Sequence, residues 1–96
     1  MNQYLIYAHD STDQDALVRR MNNRPAHLAG AANLKKQGNY IIGGAMLDDA
    51  GKMIGSTMIV QFNDYAGLRA WLDKEPYMLG KVWDTVEIKP FKLADV

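Results

Sequence analysis

The chain has no cysteine, and its charges cancel, with 11 basic and 11 acidic residues among 96. The lack of cysteine excludes disulfide frameworks, thiolate metal sites and cysteine nucleophiles. It also fits a cytoplasmic location, which we expect. A net charge of zero, without a run of one sign, provides no electrostatic footprint for nucleic acid or for an anionic membrane surface. We therefore expect neither of them as a partner.

Long apolar stretches are also missing. No run approaches the ~20 residues of a membrane-spanning helix, and residues 1–10 lack the basic flank, apolar segment and small-residue cleavage site of a signal peptide. There is no linker, internal repeat or low-complexity segment. With 48% apolar and 23% charged residues, the composition is typical of a globular protein, and we expect residues 1–96 to form a single domain.

Four segments have the character of strands, because branched and aromatic side chains are frequent in them or apolar and polar residues alternate. They cover residues 3–9, 39–47, 52–62 and 82–91. The turn signal of residues 48–51 joins the second and third strands into a hairpin. Gly43-Gly44 marks a bulge or a close backbone approach within the second strand.

Two helical segments connect these strands. Pro25 has a fixed φ and lacks an N–H, so it predicts the start of a helix that ends before Gly38, after a short helical segment over residues 15–23. His27 precedes Ala31 by four residues, which places it on the side that faces the sheet. The second helix begins at Asn63 or Asp64, buries Leu68, Trp71 and Leu72, and ends at Lys74-Glu75-Pro76.

The resulting order, β-α-β-β-α-β, predicts an α+β fold of the ferredoxin-like sandwich type, with both helices on one face of a four-stranded antiparallel sheet. The other face of such a sheet is open. Five apolar strand residues and their neighbours supply more surface than two helices can cover, namely Tyr4, Ile6, Ala8, Ile59 and Val86. We expect a second copy to cover it, forming a homodimer of barrel-like shape.

Several short motifs, in this order and over essentially the whole chain, resemble the YciI-related family of small dimeric α+β barrel proteins. They are Tyr7-Ala8-His9-Asp10, Arg24-Pro25-Ala26-His27-Leu28, Gly43-Gly44, Gly55-Ser56-Thr57, Pro76-Tyr77 and Val86-Glu87-Ile88-Lys89-Pro90-Phe91. The resemblance implies a histidine/aspartate active site. It also implies chemistry like that of a dehydrochlorinase that acts on a chlorinated hydroxyquinol, or of the muconolactone isomerases, which form related barrels.

Carried over by motif, the family histidine is His27, and its aspartate partner is Asp10, which ends the first strand and can meet His27 across the β-to-α connection. Glu75 precedes Pro76-Tyr77 where the family has aspartate, so the charge is kept while the side chain is longer. A carboxylate on one imidazole nitrogen fixes the tautomer and leaves the other nitrogen free to take and return a proton.

We therefore predict an enzyme that needs no cofactor and transfers a proton on a small cyclic or enol-type substrate, as an isomerase or a lyase. Its predicted substrate-binding residues are Arg24, Ser56, Glu75 and Tyr77. We expect no metal, because His9, Asp10 and His27 have no ligand-spacing motif. The alternative is a non-catalytic module that binds a small ligand or docks onto another protein.

Overall fold

Four strands and three helices follow one another along the chain, and the computed structural model describes all of residues 1–96. The elements are β1 (Asn2–Asp10), α1 (Ala16–Lys36), β2 (Tyr40–Leu47), β3 (Met53–Phe62), α2 (Tyr65–Leu72), α3 (Pro76–Leu79) and β4 (Trp83–Phe91). The sheet has the order β2-β3-β1-β4 with antiparallel neighbours. The predicted ferredoxin-like α+β topology is confirmed. None of the helices combines the length and apolar character that crossing a membrane requires.

The core forms between one face of the sheet and the helices. Successive side chains of a strand point to opposite faces, and in β1 Tyr4, Ile6 and Ala8 are buried on the side of the helices. They belong to one apolar cluster with Leu68 and Leu72 of α2. Burial therefore alternates along β1, although apolar residues lie on both of its faces.

The opposite face of the sheet differs in composition from the one that the sequence predicts. Tyr4, Ile6 and Ala8 lie on the covered face, and Val86 shares that face because it is paired with Ala8 across β1 and β4. Of the five residues named above, Ile59 alone lies on the open face, opposite Leu5. The apolar residues of the open face are Leu5, Tyr7, Ile42, Met46, Ile59 and Phe91.

The first helix is longer than predicted. A single helix, α1, runs through the segment that the sequence divides in two, and Pro25 lies inside it. An interior proline lacks the N–H that would bond to the carbonyl four residues earlier, at a cost of about 3 kcal/mol. Buried contacts on both sides of Pro25, by Ala16 and Arg20 before it and Leu34 after it, hold the helix together. His27 is consequently near the middle of α1 and not in a first turn.

Side-chain caps begin both α2 and α3, and the sequence predicts only the first of them. Asp64 caps α2, since its carboxylate accepts a hydrogen bond of 2.8 Å from the backbone N–H of Gly67. Glu75 caps α3 in the same way, with Pro76 in the first helical position, where a missing N–H costs nothing. This short second cap orients the side chain of Glu75 toward α1.

Candidate functional site

The imidazole of His27 is held by a carboxylate from a different part of the chain. Its Nδ1 is hydrogen-bonded to Oε1 of Glu75, and the two side chains are only 12% and 3% exposed. The other oxygen of Glu75, Oε2, accepts a hydrogen bond of 2.5 Å from the backbone N–H of Tyr77. Because both carboxylate oxygens are engaged, Glu75 is fixed in place, and the Nε2 of His27 remains available.

Aromatic rings complete the surroundings of His27. The ring of Tyr77 stacks on the imidazole with centroids 3.9 Å apart and an angle of 11° between the planes. The indole of Trp83 meets both rings edge-on, at 5.5 Å from Tyr77 and 6.1 Å from His27. The Cζ of Arg20 lies 4.8 Å from the centroid of Tyr77. The ring contacts restrain the plane of the His27 imidazole, and the hydrogen bond to Glu75 restrains its Nδ1 edge. The prediction that His27 faces inward is confirmed.

Asp10 has another partner, and its predicted pairing with His27 is not found. The Nη1 of Arg20 lies 2.9 Å and 3.0 Å from the two carboxylate oxygens of Asp10, and both side chains are buried. The physical reason is the early start of α1. Arg20, in the first turns of the helix, lies next to the end of β1, whereas His27 lies about 10 Å farther along the helix axis.

Ser56 belongs to the network of Asp10. Its Oγ accepts hydrogen bonds from Nη2 of Arg20 at 2.9 Å and from Nε1 of Trp83 at 3.2 Å. The Nε of Arg20 is buried without a partner. Burial raises the pKa of the Asp10 carboxyl, and the attraction of Arg20 offsets only part of this rise. Asp10 and Ser56 therefore lie beneath the site, where they support Arg20 and Trp83, and they do not line the cavity beside His27.

A small cavity of about 70 Å³ opens beside His27. It is bounded by α1, β2 and α3, and its walls are formed by Arg20, Arg24, His27, Leu28, Ala31, Tyr40, Gly43, Gly44, Ala45 and Tyr77. The predicted residues Arg24 and Tyr77 are thus brought together with His27. Burial raises the pKa of the Tyr77 and Tyr40 hydroxyls, so both remain protonated near neutral pH.

The sequence analysis does not identify two residues of this site, Arg20 and Tyr40, and it predicts a different role for a third, Glu75. Arg20 precedes His27 by seven residues and therefore lies on the same side of the helix, a spacing that would have revealed it. Tyr40 stands just before the Gly43-Gly44 pair. Glu75 was predicted to bind substrate, but it is the partner of His27, and its position before Pro76 was the available signal.

A wider cavity of about 410 Å³ lies at the carboxyl end of β1. Its walls include His9, Asp10, Lys52 and Asp84, and it shares no lining residue with the cavity beside His27. No group of three or more His, Asp or Glu side chains is placed to hold a metal ion. His9 and Asp10 both line this wider cavity, whereas His27 lines the smaller one, so the three side chains do not converge. We place the chemistry at the smaller cavity because only there does an oriented imidazole meet open space.

Comparison with known proteins finds matches that cover nearly the whole chain. The family model of the YCII-related domain matches residues 2–92. The proteins named YciI from Escherichia coli O6:H1 and Shigella flexneri are each 38% identical over 95 residues, which covers 93% of this chain and 95% of theirs. An uncharacterised protein of Haemophilus influenzae is 30% identical with the same coverage.

A similar fold is seen in a solved structure, that of 5-chloro-2-hydroxyhydroquinone dehydrochlorinase (TftG) from Burkholderia phenoliruptrix, in complex with 2,5-dihydroxybenzoquinone. The TM-score is 0.82, and the match covers 96% of this chain and 95% of that one. The two sequences are 24% identical, so this likeness establishes the fold.

Proposed function

Because this chain belongs to the YCII-related family, we propose that it is a small-molecule enzyme in which His27, paired with Glu75, transfers a proton. The observation that carries the proposal is the engagement of Nδ1 by Glu75, which leaves Nε2 of this cavity-lining histidine without a partner in the protein. The substrate class that we propose is a small cyclic or enol-type compound. No cofactor takes part in the proposed step.

The proposed reaction begins at a C–H bond next to a carbonyl group of the substrate. Nε2 of His27 takes the proton, and the electron pair of that bond moves toward the carbonyl oxygen to form an enolate. Glu75 stabilises the imidazolium that results, since it is hydrogen-bonded to the opposite nitrogen. In an isomerisation the imidazolium returns the proton at another carbon. In an elimination a leaving group, such as chloride, departs from the neighbouring carbon with its electron pair.

Arg24 and Tyr77 are the substrate-binding residues of this proposal, because they line the cavity beside His27. Asp10 and Ser56 act one layer deeper, by holding Arg20 and Trp83 against Tyr77. Elimination of chloride is supported by the similar fold of the dehydrochlorinase TftG. The oriented imidazole itself serves isomerisation and elimination equally well.

Hydrogen–deuterium exchange tests the proposal without knowledge of the natural substrate. A panel of small cyclic ketones and enols is incubated in D₂O with the protein, and NMR measures deuterium at the carbon next to the carbonyl. We expect exchange above the buffer rate with the unaltered protein and a loss of about 10²- to 10⁴-fold in His27→Asn. His9→Asn, at the chain's other histidine, is the matched control and should retain exchange.

Two outcomes would overturn the proposal. One is an equal exchange rate in His27→Asn and the unaltered protein. The other is a complete absence of exchange across the panel, together with small-ligand binding that survives His27→Ala. That second result would support the alternative, a non-catalytic binding module.

We also propose that the chain forms a homodimer through the open face of its sheet. Leu5 and Ile59 are paired neighbours at its centre, and Tyr7 and Ile42 flank them with 37% and 62% exposure. Light scattering at micromolar concentration should give twice the 10.8 kDa of one chain. Ile59→Lys should shift the mass to one chain, whereas Val18→Lys, on the exposed side of α1, should not. A mass of one chain for the unaltered protein would contradict the dimer.

A further inference from the structure

The polar side chains around the cavity beside His27 share one property, which is that none of them carries a negative charge. Two are guanidinium groups, two are phenols and one is the imidazole itself, namely Arg20, Arg24, Tyr40, Tyr77 and His27. The remaining lining residues are apolar or glycine. Glu75 does not line the cavity, and its two oxygens are engaged by His27 and by the backbone of Tyr77.

The charges of the two arginines are balanced differently. Arg20 is paired with Asp10 at 2.9 Å. Arg24 has no carboxylate partner, since the four ion pairs of the chain join Arg19, Arg20, His27 and Arg69 to Asp13, Asp10, Glu75 and Asp73. Arg24 is nevertheless only half-exposed. A partly desolvated guanidinium presents a fork of N–H donors that matches a planar pair of oxygens.

The phenols add donors that have no acceptor in the protein. The Tyr77 side chain is 1% exposed, and neither its hydroxyl nor that of Tyr40 makes a hydrogen bond to another residue. Both hydroxyls remain protonated, because burial raises their pKa. Both tyrosines line the cavity, and their hydroxyls have no acceptor in the protein. A ligand oxygen that accepts from these hydroxyls is therefore favoured over an apolar group, which would leave them without a hydrogen bond.

The size of the cavity restricts what enters it. A volume of about 70 Å³ corresponds to roughly five water-sized spheres, which suits a carboxylate or an ionised enol but not a whole ring. The rim carries Leu28, which is 47% exposed. An apolar body attached to the oxyanion would therefore remain at the mouth, in contact with Leu28.

We propose that this cavity is an oxyanion subsite, in which Arg24 recognises the carboxylate or ionised enol of a small organic acid and Tyr77 donates a hydrogen bond to it. The inference rests on the proposed function, because it defines the substrate class of the His27 enzyme as organic anions. A carboxylate held by Arg24 presents a C–H bond next to a separate carbonyl group of the same substrate to Nε2 of His27, whereas an ionised enol presents the carbon to which the imidazolium returns a proton. Arg24 is then the residue that selects charged substrates over neutral ones.

NMR titration of the full chain tests the subsite, with three probes of similar size. Benzoate carries the carboxylate, cyclohexane-1,3-dione at neutral pH carries the ionised enol, and benzamide is the neutral counterpart of benzoate. We expect saturable shifts at the amides of Arg24, His27 and Tyr77 with one or both anions and none with benzamide. Arg24→Gln should weaken anion binding by about 10- to 100-fold. Binding of one anion alone identifies which oxyanion the subsite takes.

The matched control is Arg69→Gln, an arginine of α2 outside the cavity, which should bind the anions as tightly as the unaltered protein. Equal binding of benzoate and benzamide, or unchanged anion binding in Arg24→Gln, would overturn the subsite. The exchange experiment separates the two proposals. Arg24-dependent anion binding without any deuterium exchange retains the subsite and rejects the enzyme. Exchange that is unaffected in Arg24→Gln retains the enzyme and rejects the subsite.

Discussion

His27 and Glu75 are 48 residues apart in the chain, and the Nδ1 of His27 is hydrogen-bonded to Oε1 of Glu75. Glu75 is also the N-cap of α3, so the same carboxylate begins a helix and orients a histidine of α1. The glutamate side chain reaches both groups. This double engagement ties the position of the imidazole to the α2–α3 connection.

The tautomer of His27 is the first testable consequence. In the neutral ring, the proton should reside on Nδ1, because Glu75 accepts there, and Nε2 should carry the lone pair. Glu75→Gln should reduce this preference, because an amide can donate as well as accept. Nitrogen-15 NMR of the imidazole distinguishes the two tautomers. His9, which lacks a carboxylate partner, provides the reference within the same sample. Unchanged His27 nitrogen shifts in Glu75→Gln would refute this assignment.

The buried pair of Asp10 and Arg20 should be the most sensitive ionic contact of the fold. Asp10→Ala leaves the guanidinium of Arg20 buried without its counter-charge, which should lower the free energy of unfolding by about 3–5 kcal/mol. Replacing both residues, as in Asp10→Leu with Arg20→Met, should recover much of this loss. Urea unfolding measures the difference. As a control, Asp73→Ala removes an exposed pair with Arg69 and should have a far smaller effect. Comparable losses of unfolding free energy in Asp10→Ala and Asp73→Ala would show that burial of the ion pair does not determine the cost of breaking it.

Acid stability should depend on Asp13. Its hydrogen bonds with Arg19 lower the pKa of this carboxyl from 3.8 to about 2. A depressed pKa in the folded state stabilises the protein above 3.8 and ceases to do so as the pH falls toward 2. Asp13→Asn should therefore remove part of the pH dependence of unfolding in that window. The raised pKa of Asp10 changes the stability with pH in the opposite direction, but it does so in the unaltered protein and in Asp13→Asn alike. Parallel stability curves for both proteins from about pH 4 to about pH 2 would count against this role.

The Gly55-Ser56-Thr57 motif is explained by a close approach of strands. A Cβ at Gly55 would lie 2.4 Å from the backbone oxygen of Ala8, which cannot move without disturbing the pairing of β1 and β3. Gly55→Ala should destabilise the fold by about 1–3 kcal/mol. Gly44→Ala is the matched control, because a Cβ there meets nothing within 4 Å. Thermal unfolding of both variants measures the contrast, and equal melting temperatures would contradict this explanation.

Much of the fold can be predicted from local sequence. The branched and aromatic residues of β1, the turn after β2 and the cap at Asp64 act over a few residues each, and the structure has them where the pattern predicts. The start of α1 was predicted wrongly, because the local preference of Pro25 for a first helical turn is outweighed by burial of Ala16 and Arg20 before it. The helix residues on both sides of the proline pack against parts of the chain that are distant in sequence. A local sequence pattern therefore cannot predict that the helix continues through Pro25.

The sequence by itself determined the α+β topology, the inward face of His27 and the presence of carboxylates able to serve it. Only the tertiary structure decided which carboxylate does so. Asp10 is nearer in the chain, but the early start of α1 assigns it to Arg20, and the cap of α3 brings Glu75 to His27. The reason is physical. Periodicity sets the face of each element, whereas the meeting of two side chains depends on where packed elements begin along their axes.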